Sequence, residues 1–572
     1  MEASRIIKEE PMYILGISAF YHDSAACLYR NSTLLGAAEE ERFTGIKGDS
    51  SFPIKTINWL LKSNGIKIND VAVVCWYENP DLKKQRVLET FRRNPFKNLN
   101  RIFKYLLGEG PEWNIKKVLR KEIGFKNKIH FVNHHLSHAC LSYFTSPFDE
   151  CTVVTVDGVG EKETITISKA FHNVVKKLGS VHYPNSLGLF YSAFTAFLGF
   201  KPNEGEYKVM GLAAYGDPSI YYEKIKGIIS FRSGNLKINM DLFSWDCSDE
   251  VMFNWKLIEY LSLDPRDPSE KSIEPQYKHV AASVQQVYEE TLFDIINHSY
   301  ELNMSNNLCL GGGCAYNGLA NAKISKNTPY KKVWVPLSPS DGGSSIGACL
   351  HYINIVKGQK RKGQIDPYQG PSYRGNELFQ VLNKYKILIS FEHMETSDMI
   401  GTTAELLNHG KVIGWFQGRM EFGARALGNR SIIASPLFKD MQNRINSVIK
   451  KREMFRPFAP SVILEEAHKY FEIEDPIPYM NMVVKVKPEH NLPAITHIDG
   501  TARVQTVVQY DNPRFHRLLK KFGEISGVPI LLNTSFNFKD QTITMNPEDA
   551  IIRFLDSDMD YLVLDNFLVS KK

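Results

Sequence analysis

The first apolar run of the chain, MYILGISAF at 12–20, is β-prone, breaks at the polar YHDS and resumes as AACLYRN. That is the pattern of a hairpin with a polar tip. A second unit of the same kind lies at 151–169, where CTVVTVDGVGEKETITISK runs from an apolar strand through an Asp-Gly turn into an alternating return strand. The recurrence predicts an internal duplication. Two strand-to-helix units follow, NLCLGGGCAYNGLANAKI at 307–324 and KKVWVPLSPSDGGSSIGACLHYI at 331–353, each passing through a glycine turn into an apolar helix.

Glycine turns let a backbone approach phosphates closely, and the helix that follows presents free N–H groups to them. Two hairpins with acidic turns followed by two such units resemble the paired ribonuclease-H-like lobes of the actin, sugar-kinase and Hsp70 superfamily, which implies a nucleotide clasped between them. After His351 the texture becomes polar, basic and rich in Gly and Pro, INIVKGQKRKGQIDPYQGPSYRGNE, which reads as a linker over 356–378. Beyond it KILISFEH, the helix-like SDMIGTTAELLNHG and the strand KVIGWFQG predict a second α/β domain over 379–572, leaving 1–355 for the first.

Composition agrees with that division. The 572 residues exceed the ~250–300 at which one core stops growing. A hydrophobic share of 43%, with 12% aromatics, predicts large folded cores. No uninterrupted apolar run reaches the ~18 residues of a membrane helix, and MEASRIIKEEPMY lacks a signal-peptide core, so we expect a cytoplasmic protein without a membrane partner. The 8 cysteines form no CxxC pair, which argues for buried free thiols over disulfides or a zinc ribbon. The net charge of +6 is uneven: residues 83–128 hold 14 Lys and Arg against 4 Asp and Glu. This segment is either a solvated face of two helices or a patch that steers an anion.

HHLSHA at 134–139 carries the densest cluster of candidate ligands. If LSHACLSYF is helical, His134 and His138 stand at i and i+4 on one face, while His135 points about 100° aside. Two imidazoles and a carboxylate suit Fe(II) or a similar divalent transition ion, and Asp157 at the tip of the second hairpin could supply the carboxylate. A hydrogen-bonded pair without metal fits the spacing as well. Further along, GWFQGRMEFGARALGNRSIIASP (414–436) interleaves Arg419, Arg425 and Arg430 with small and aromatic residues. KKREMFRPFAPSV (450–462) adds Lys450, Lys451, Arg452 and Arg456, HIDGTARVQTV adds His497 and Arg503, and LLNTSFN adds Asn533, Ser535 and Asn537. Guanidinium groups on a backbone of small residues predict an anion pocket; a salt-bridge network at a core edge is the alternative.

NHHLSHA, TVDGVGE, YPNSLGLFYSAFT, GFKPNEGEYKVMGLAAYG and LCLGGGCAYN together resemble the O-carbamoyltransferases that modify nodulation factors, cephalosporins and aminoglycosides such as tobramycin. The resemblance implies a metal at His134, His138 and Asp157, with Asp341 of SPSDGGSS as a further ligand. It also implies a nucleotide held by Gly311, Gly312, Gly313, Asn317 and Asp157. The C-terminal segments are similar to the family's second, YrdC-like domain, which implies that Arg425, Arg430, Lys450, Arg456, Arg503 and Ser535 contact carbamoyl phosphate or ATP.

The resemblance implies formation of carbamoyladenylate and pyrophosphate from carbamoyl phosphate and ATP, assisted by Mg²⁺, in the C-terminal domain, with Arg456 and Lys450 catalytic. Transfer to a hydroxyl of a small natural-product acceptor would follow in the N-terminal domain, with His22 of YHDSAA as the base or, alternatively, a cap of its turn. Lys208 in GEYKVMG is a further candidate contact. Rival readings are a fused tRNA threonylcarbamoylation enzyme and an Hsp70-like nucleotide-dependent binding protein; the small-molecule motifs and the cationic second domain favour the transferase, without nucleic acid as partner. A homodimer is the commonest assembly for such a chain.

Overall fold

The computed structural model describes residues 11–93, 113–248, 251–270 and 272–572. The centre of the basic segment 83–128 therefore lies outside the described residues; its flanks form the helices Pro80–Arg93 and Ile115–Ile123.

Both predicted hairpins are present, and each opens a sheet of the same design. In the first, β1 (Tyr13–Ser18), β2 (Ala25–Arg30) and β3 (Thr33–Glu39) form an antiparallel meander, and β4 (Val71–Trp76) and β5 (Lys128–Phe131) add on in parallel, giving the order β3-β2-β1-β4-β5. In the second, β6 (Glu150–Val156), β7 (Glu163–Phe171) and β8 (Val174–His182) are followed in parallel by β9 (Asn307–Gly311) and β10 (Lys332–Trp334), in the order β8-β7-β6-β9-β10. The two orders superimpose strand for strand, as expected of duplicated ribonuclease-H-like lobes.

Helices α1 (His134–Phe144) and α4 (Asp341–Leu350) follow the last strand of each lobe and pack on one another. Both are buried on nearly every face: every residue of α4, and all of α1 except Leu136. Burying a side chain such as Leu141 or Phe144 contributes about 1.5–3 kcal/mol, so this contact is a principal tie between the lobes. It depends on glycine: a Cβ at Gly347 would stand 2.0 Å from the Ser137 carbonyl oxygen. The helices of the second lobe include Leu187–Phe197, α2 (Glu206–Ala213) and the long α3 (Pro275–Leu302).

The C-terminal part is built on a third, mixed sheet. Its strands β11 (Ile389–His393), β12 (Ile413–Phe416), β13 (Arg430–Ala434), β14 (Ala459–Ile463), β15 (Gln505–Val507), β16 (Ile530–Ser535), β17 (Tyr561–Leu564) and β18 (Phe567–Lys571) lie in the order β11-β18-β17-β12-β13-β16-β14-β15. Side chains alternate between two cores: Ile413 and Trp415 face the helices Thr396–Asn408 and Pro513–Ser526, whereas Phe416 packs with Asn376–Lys384 and Pro547–Leu555. The Gly- and Pro-rich stretch before this sheet is an extended strap whose Tyr368 and Gln369 are buried. Among the described residues no helix is long and apolar enough to cross a membrane. Cys27, Cys75, Cys140, Cys151, Cys309, Cys314 and Cys349 are free thiols.

Candidate functional site

The i, i+4 spacing on α1 places the His134 and His138 rings on one face, their Nε2 atoms 3.1 Å apart. The turn after β6 brings Asp157 to them, at 3.3 Å from His134 Nε2 and 2.9 Å from His138 Nε2. Asp341, the first residue of α4, closes the group at 3.5 and 3.3 Å from the same atoms. One ligand atom from each of the four lies within 4.8 Å of all the others, and all four residues are buried.

Neither carboxylate oxygen of Asp341 receives a hydrogen bond, nor does His134 Nδ1. Buried polar atoms are rarely left so. Burial opposes charge on His138, but Asp157 and Asp341 outweigh it and push its pKa up to about 9. Two imidazoles and two carboxylates converging at a buried point fit a divalent transition ion. The surroundings hold the ligands in place: Ser344 Oγ bonds His138 Nδ1 at 3.1 Å, and Glu161 Oε1 accepts the His134 backbone N–H at 2.8 Å. His135 has no ring nitrogen to spare, with Nδ1 at 2.7 Å from Thr155 Oγ1 and Nε2 at 2.9 Å from the Glu163 carbonyl.

Asp157 also lines a cavity of about 770 Å³ that runs from the lobes into the C-terminal part. Its N-terminal wall includes Tyr21, His22, Asp23, Gly313 and Asn317; its C-terminal wall includes Arg425, Lys450, Arg452, Arg456, Arg503 and Ser535. The second wall is strongly cationic. Among the described residues Arg456 has an acidic partner, Glu453 at 3.4 Å, while Arg425, Lys450, Arg452 and Arg503 have none within ion-pair distance. Burial and the neighbouring Arg425, Arg452 and Arg456 hold Arg503 well below the usual guanidinium range, and burial with Arg452 and Arg456 does the same to Lys450. Lys450 Nζ is tied to Ser535 O, Ser535 Oγ and Asn537 Oδ1 at 2.6, 3.2 and 2.8 Å. Like charges crowded with so few counterions have the electrostatics to attract an anion.

Residues 13–350 match the carbamoyltransferase N-terminus family and residues 404–571 the carbamoyltransferase C-terminus family. The chain belongs to the carbamoyltransferase family. An uncharacterised protein of Synechocystis is 38% identical over 98% of this chain and 97% of its own length. The nodulation protein NolNO of Sinorhizobium fredii is 33% identical over 97% of this chain and 80% of its own. The 3'-hydroxymethylcephem-O-carbamoyltransferase of Amycolatopsis lactamdurans is 28% identical over 78% and 80%.

In this carbamoyltransferase most of the expected residues meet, and some do not. Gly313 and Asn317 line the cavity, whereas Gly311 and Gly312 pack beneath it. Gly312 has φ +85°, and a Cβ there would lie 2.1 Å from the Val156 carbonyl oxygen, so it serves the turn itself. Arg430, expected among the anion contacts, lies outside the cavity wall and is fully buried. It opens β13 with its side chain turned inside, over the Phe416 ring, and donates to the carbonyls of Gln417, Asn429, Pro371 and Gly418.

His22 lies in the β1–β2 turn, with Nδ1 at 3.3 Å from Asp23. Enclosure opposes its charge, but Asp23, with Asp341 and Asp157, pushes its pKa up to about 10. Lys208 on α2 pairs across the domains with Glu453 at 3.5 Å. From the flank of the basic segment, Arg86 Nη1 donates to the Gly160 carbonyl at 2.8 Å. Sequence reasoning missed Glu39, Arg42, Tyr207 and Tyr316, all of which line the cavity. Tyr207 lies within the quoted GEYKVMG and Tyr316 within LCLGGGCAYN, whereas Glu39 and Arg42 carried no local signal.

Proposed function

We propose that the protein is an ATP-dependent O-carbamoyltransferase acting on a hydroxyl of a small-molecule acceptor. The observation that carries this reading is the single cavity that has Asp157 on one wall and Arg425, Lys450, Arg456, Arg503 and Ser535 on the other. In the proposed division the first 355 residues carry transfer, and a YrdC-like domain from 379 onward, joined by the 356–378 segment, forms the adenylate.

Carbamoyl phosphate would lose phosphate to water at the cationic wall, giving carbamate. A carbamate oxygen would attack the ATP α-phosphorus, releasing pyrophosphate and leaving carbamoyladenylate. Arg456 and Arg503 would stabilise the charge spreading over the phosphoryl oxygens, and Lys450, held by Ser535 and Asn537, would orient them. Mg²⁺ would accompany the ATP as in other phosphoryl transfers. The acceptor hydroxyl would then attack the carbamoyl carbon and expel AMP. A shared cavity keeps the water-sensitive adenylate from bulk solvent.

His134, His138, Asp157 and Asp341 would hold Fe(II) or a similar ion, which when bound supplies Lewis acidity toward a carbamoyl oxygen. Gly313 and Asn317 would position the nucleotide on the lobe side. His22 would receive the acceptor's proton, which requires that it first be neutral.

Pyrophosphate release from ATP, with and without carbamoyl phosphate and without any acceptor, tests the reading in wild type and Arg456→Ala. The expected result is release that requires carbamoyl phosphate and disappears in the variant. No carbamoyl-phosphate-dependent release from metal-replete wild type would reject it.

A further inference from the structure

The edge strand β3 is where the first lobe meets the segment that carries Arg425. In its sheet it has a strand neighbour on one side only, and unpaired edges are normally covered. The cover here comes from 369–423. Ala37 N donates to the Gln369 carbonyl at 3.2 Å, Arg419 Nη2 to the Leu35 carbonyl at 3.0 Å, and Gly423 N to Glu39 Oε1 at 2.6 Å.

Arg42, just past the strand, completes the grip. Its Nη2 donates to the Gly423 carbonyl at 2.9 Å, its Nη1 pairs with Glu41 at 2.6 Å, and its Nε lies 3.5 Å from Glu39. Gly423 is thus held at both its N–H and its C=O, in a backbone conformation, φ +102°, that side chains disfavour. It stands two residues before Arg425. On the other side of Arg425, Glu421 Oε1 accepts the N–H groups of Leu427, Asn429 and Arg430 at 2.7, 2.7 and 3.2 Å. The loop is wound on one buried carboxylate and clasped by another.

We infer that Glu39 and Arg42 are positioning residues whose clasp on Gly423 sets where Arg425 stands in the cavity. The inference rests on the reading of Arg425 as a contact to carbamoyl phosphate or ATP. Glu39 and Arg42 are buried, and all three Arg42 nitrogens face Glu41, Gly423 or Glu39, so no fork is left for a ligand. The clasp also makes alignment of the cationic wall depend on the same strand that borders the transfer end.

The test is a double-mutant cycle of Arg42→Lys and Arg425→Ala in the full chain. It is read by carbamoyl-phosphate-dependent pyrophosphate release and, independently of turnover, by ATP affinity from titration calorimetry. Lysine keeps a positive charge but has one nitrogen for three partners. We expect Arg42→Lys to lower kcat/KM and ATP affinity about tenfold, the order of one hydrogen bond to a charged group. Where Arg425 is already alanine, the loss should be less than about twofold. Equal losses in both backgrounds, or none in either, overturn the clasp. Glu39→Gln, which keeps an acceptor for Gly423 N, supplies the same cycle with less disturbance should Arg42→Lys not fold. Wild type that binds ATP but releases no pyrophosphate rejects the carbamoyladenylate reading, while the affinity cycle still decides the clasp.

Discussion

Replacing Arg430 and Arg456 by alanine, one at a time, separates an arginine that builds the fold from one that serves chemistry. Arg430 is fully buried, its guanidinium 3.7 Å from the Phe416 ring centroid, with donor distances of 2.5, 2.9, 3.2 and 3.2 Å to four backbone carbonyls. A hydrogen bond from a charged donor contributes about 1.5–3 kcal/mol. Part of that sum is cancelled by the cost of holding a cation in the interior, which also draws its pKa down to about 10 despite Glu421. We expect Arg430→Ala to lose about 4 kcal/mol, at the upper end for single substitutions, and to lower Tm by about 10 °C. Arg456 sits over the Tyr207 ring at 5.0 Å and pairs with Glu453 at 3.4 Å amid like charges, so the pair lost in alanine is offset by relief of repulsion. Its stability should change by less than about 0.5 kcal/mol, while pyrophosphate release is lost. Thermal unfolding and pyrophosphate release, measured on the same preparations, decide the matter. An Arg430→Ala protein as stable as wild type but unable to use ATP would refute the structural role.

Two further outcomes follow from the site. Asp341→Asn leaves a neutral oxygen where both carboxylate oxygens lack hydrogen bonds, so metal content by elemental analysis should fall at least about tenfold; wild-type stoichiometry in the variant would exclude Asp341 as a ligand. Burial tends to raise the Glu453 pKa, but its backbone N–H, Lys208, Arg456 and Lys539 outweigh that and bring it down to about 2 from 4.5. A depressed folded value means stabilisation that is present above pH 4.5 and lost as pH falls toward 2. The difference in urea stability between wild type and Glu453→Gln should shrink across that window, and a constant difference would contradict the ion-pair account.

Local pattern made much of this protein legible from its residues. The hairpins at 12–31 and 151–169 show as β-prone apolar runs broken by polar turns, a signal carried by a few neighbouring residues, and their recurrence announces the duplicated lobes. The His134–His138 pair is equally local, since four residues of helix bring two side chains onto one face. The tip of the second hairpin offered Asp157 as a carboxylate for them, and the family resemblance then added Asp341, which spacing alone would not have joined to the pair. The arginines behaved differently. Arg425 and Arg430 lie in one motif with the same side-chain chemistry, yet Arg425 faces the cavity and Arg430 the interior. That choice is made where β13 begins, because strand register sends Arg430 toward Phe416 and the carbonyls of a neighbouring turn. The Glu39–Arg42 clasp on Gly423 spans more than 380 residues of chain, and no periodicity reports a contact at that separation. What the sequence by itself determined was the inventory of strands, glycine turns and ligand types, because those depend on neighbours a few residues away. Which charges point into the shared cavity, and what holds them there, was decided only when distant segments packed and each buried polar group had to find a partner.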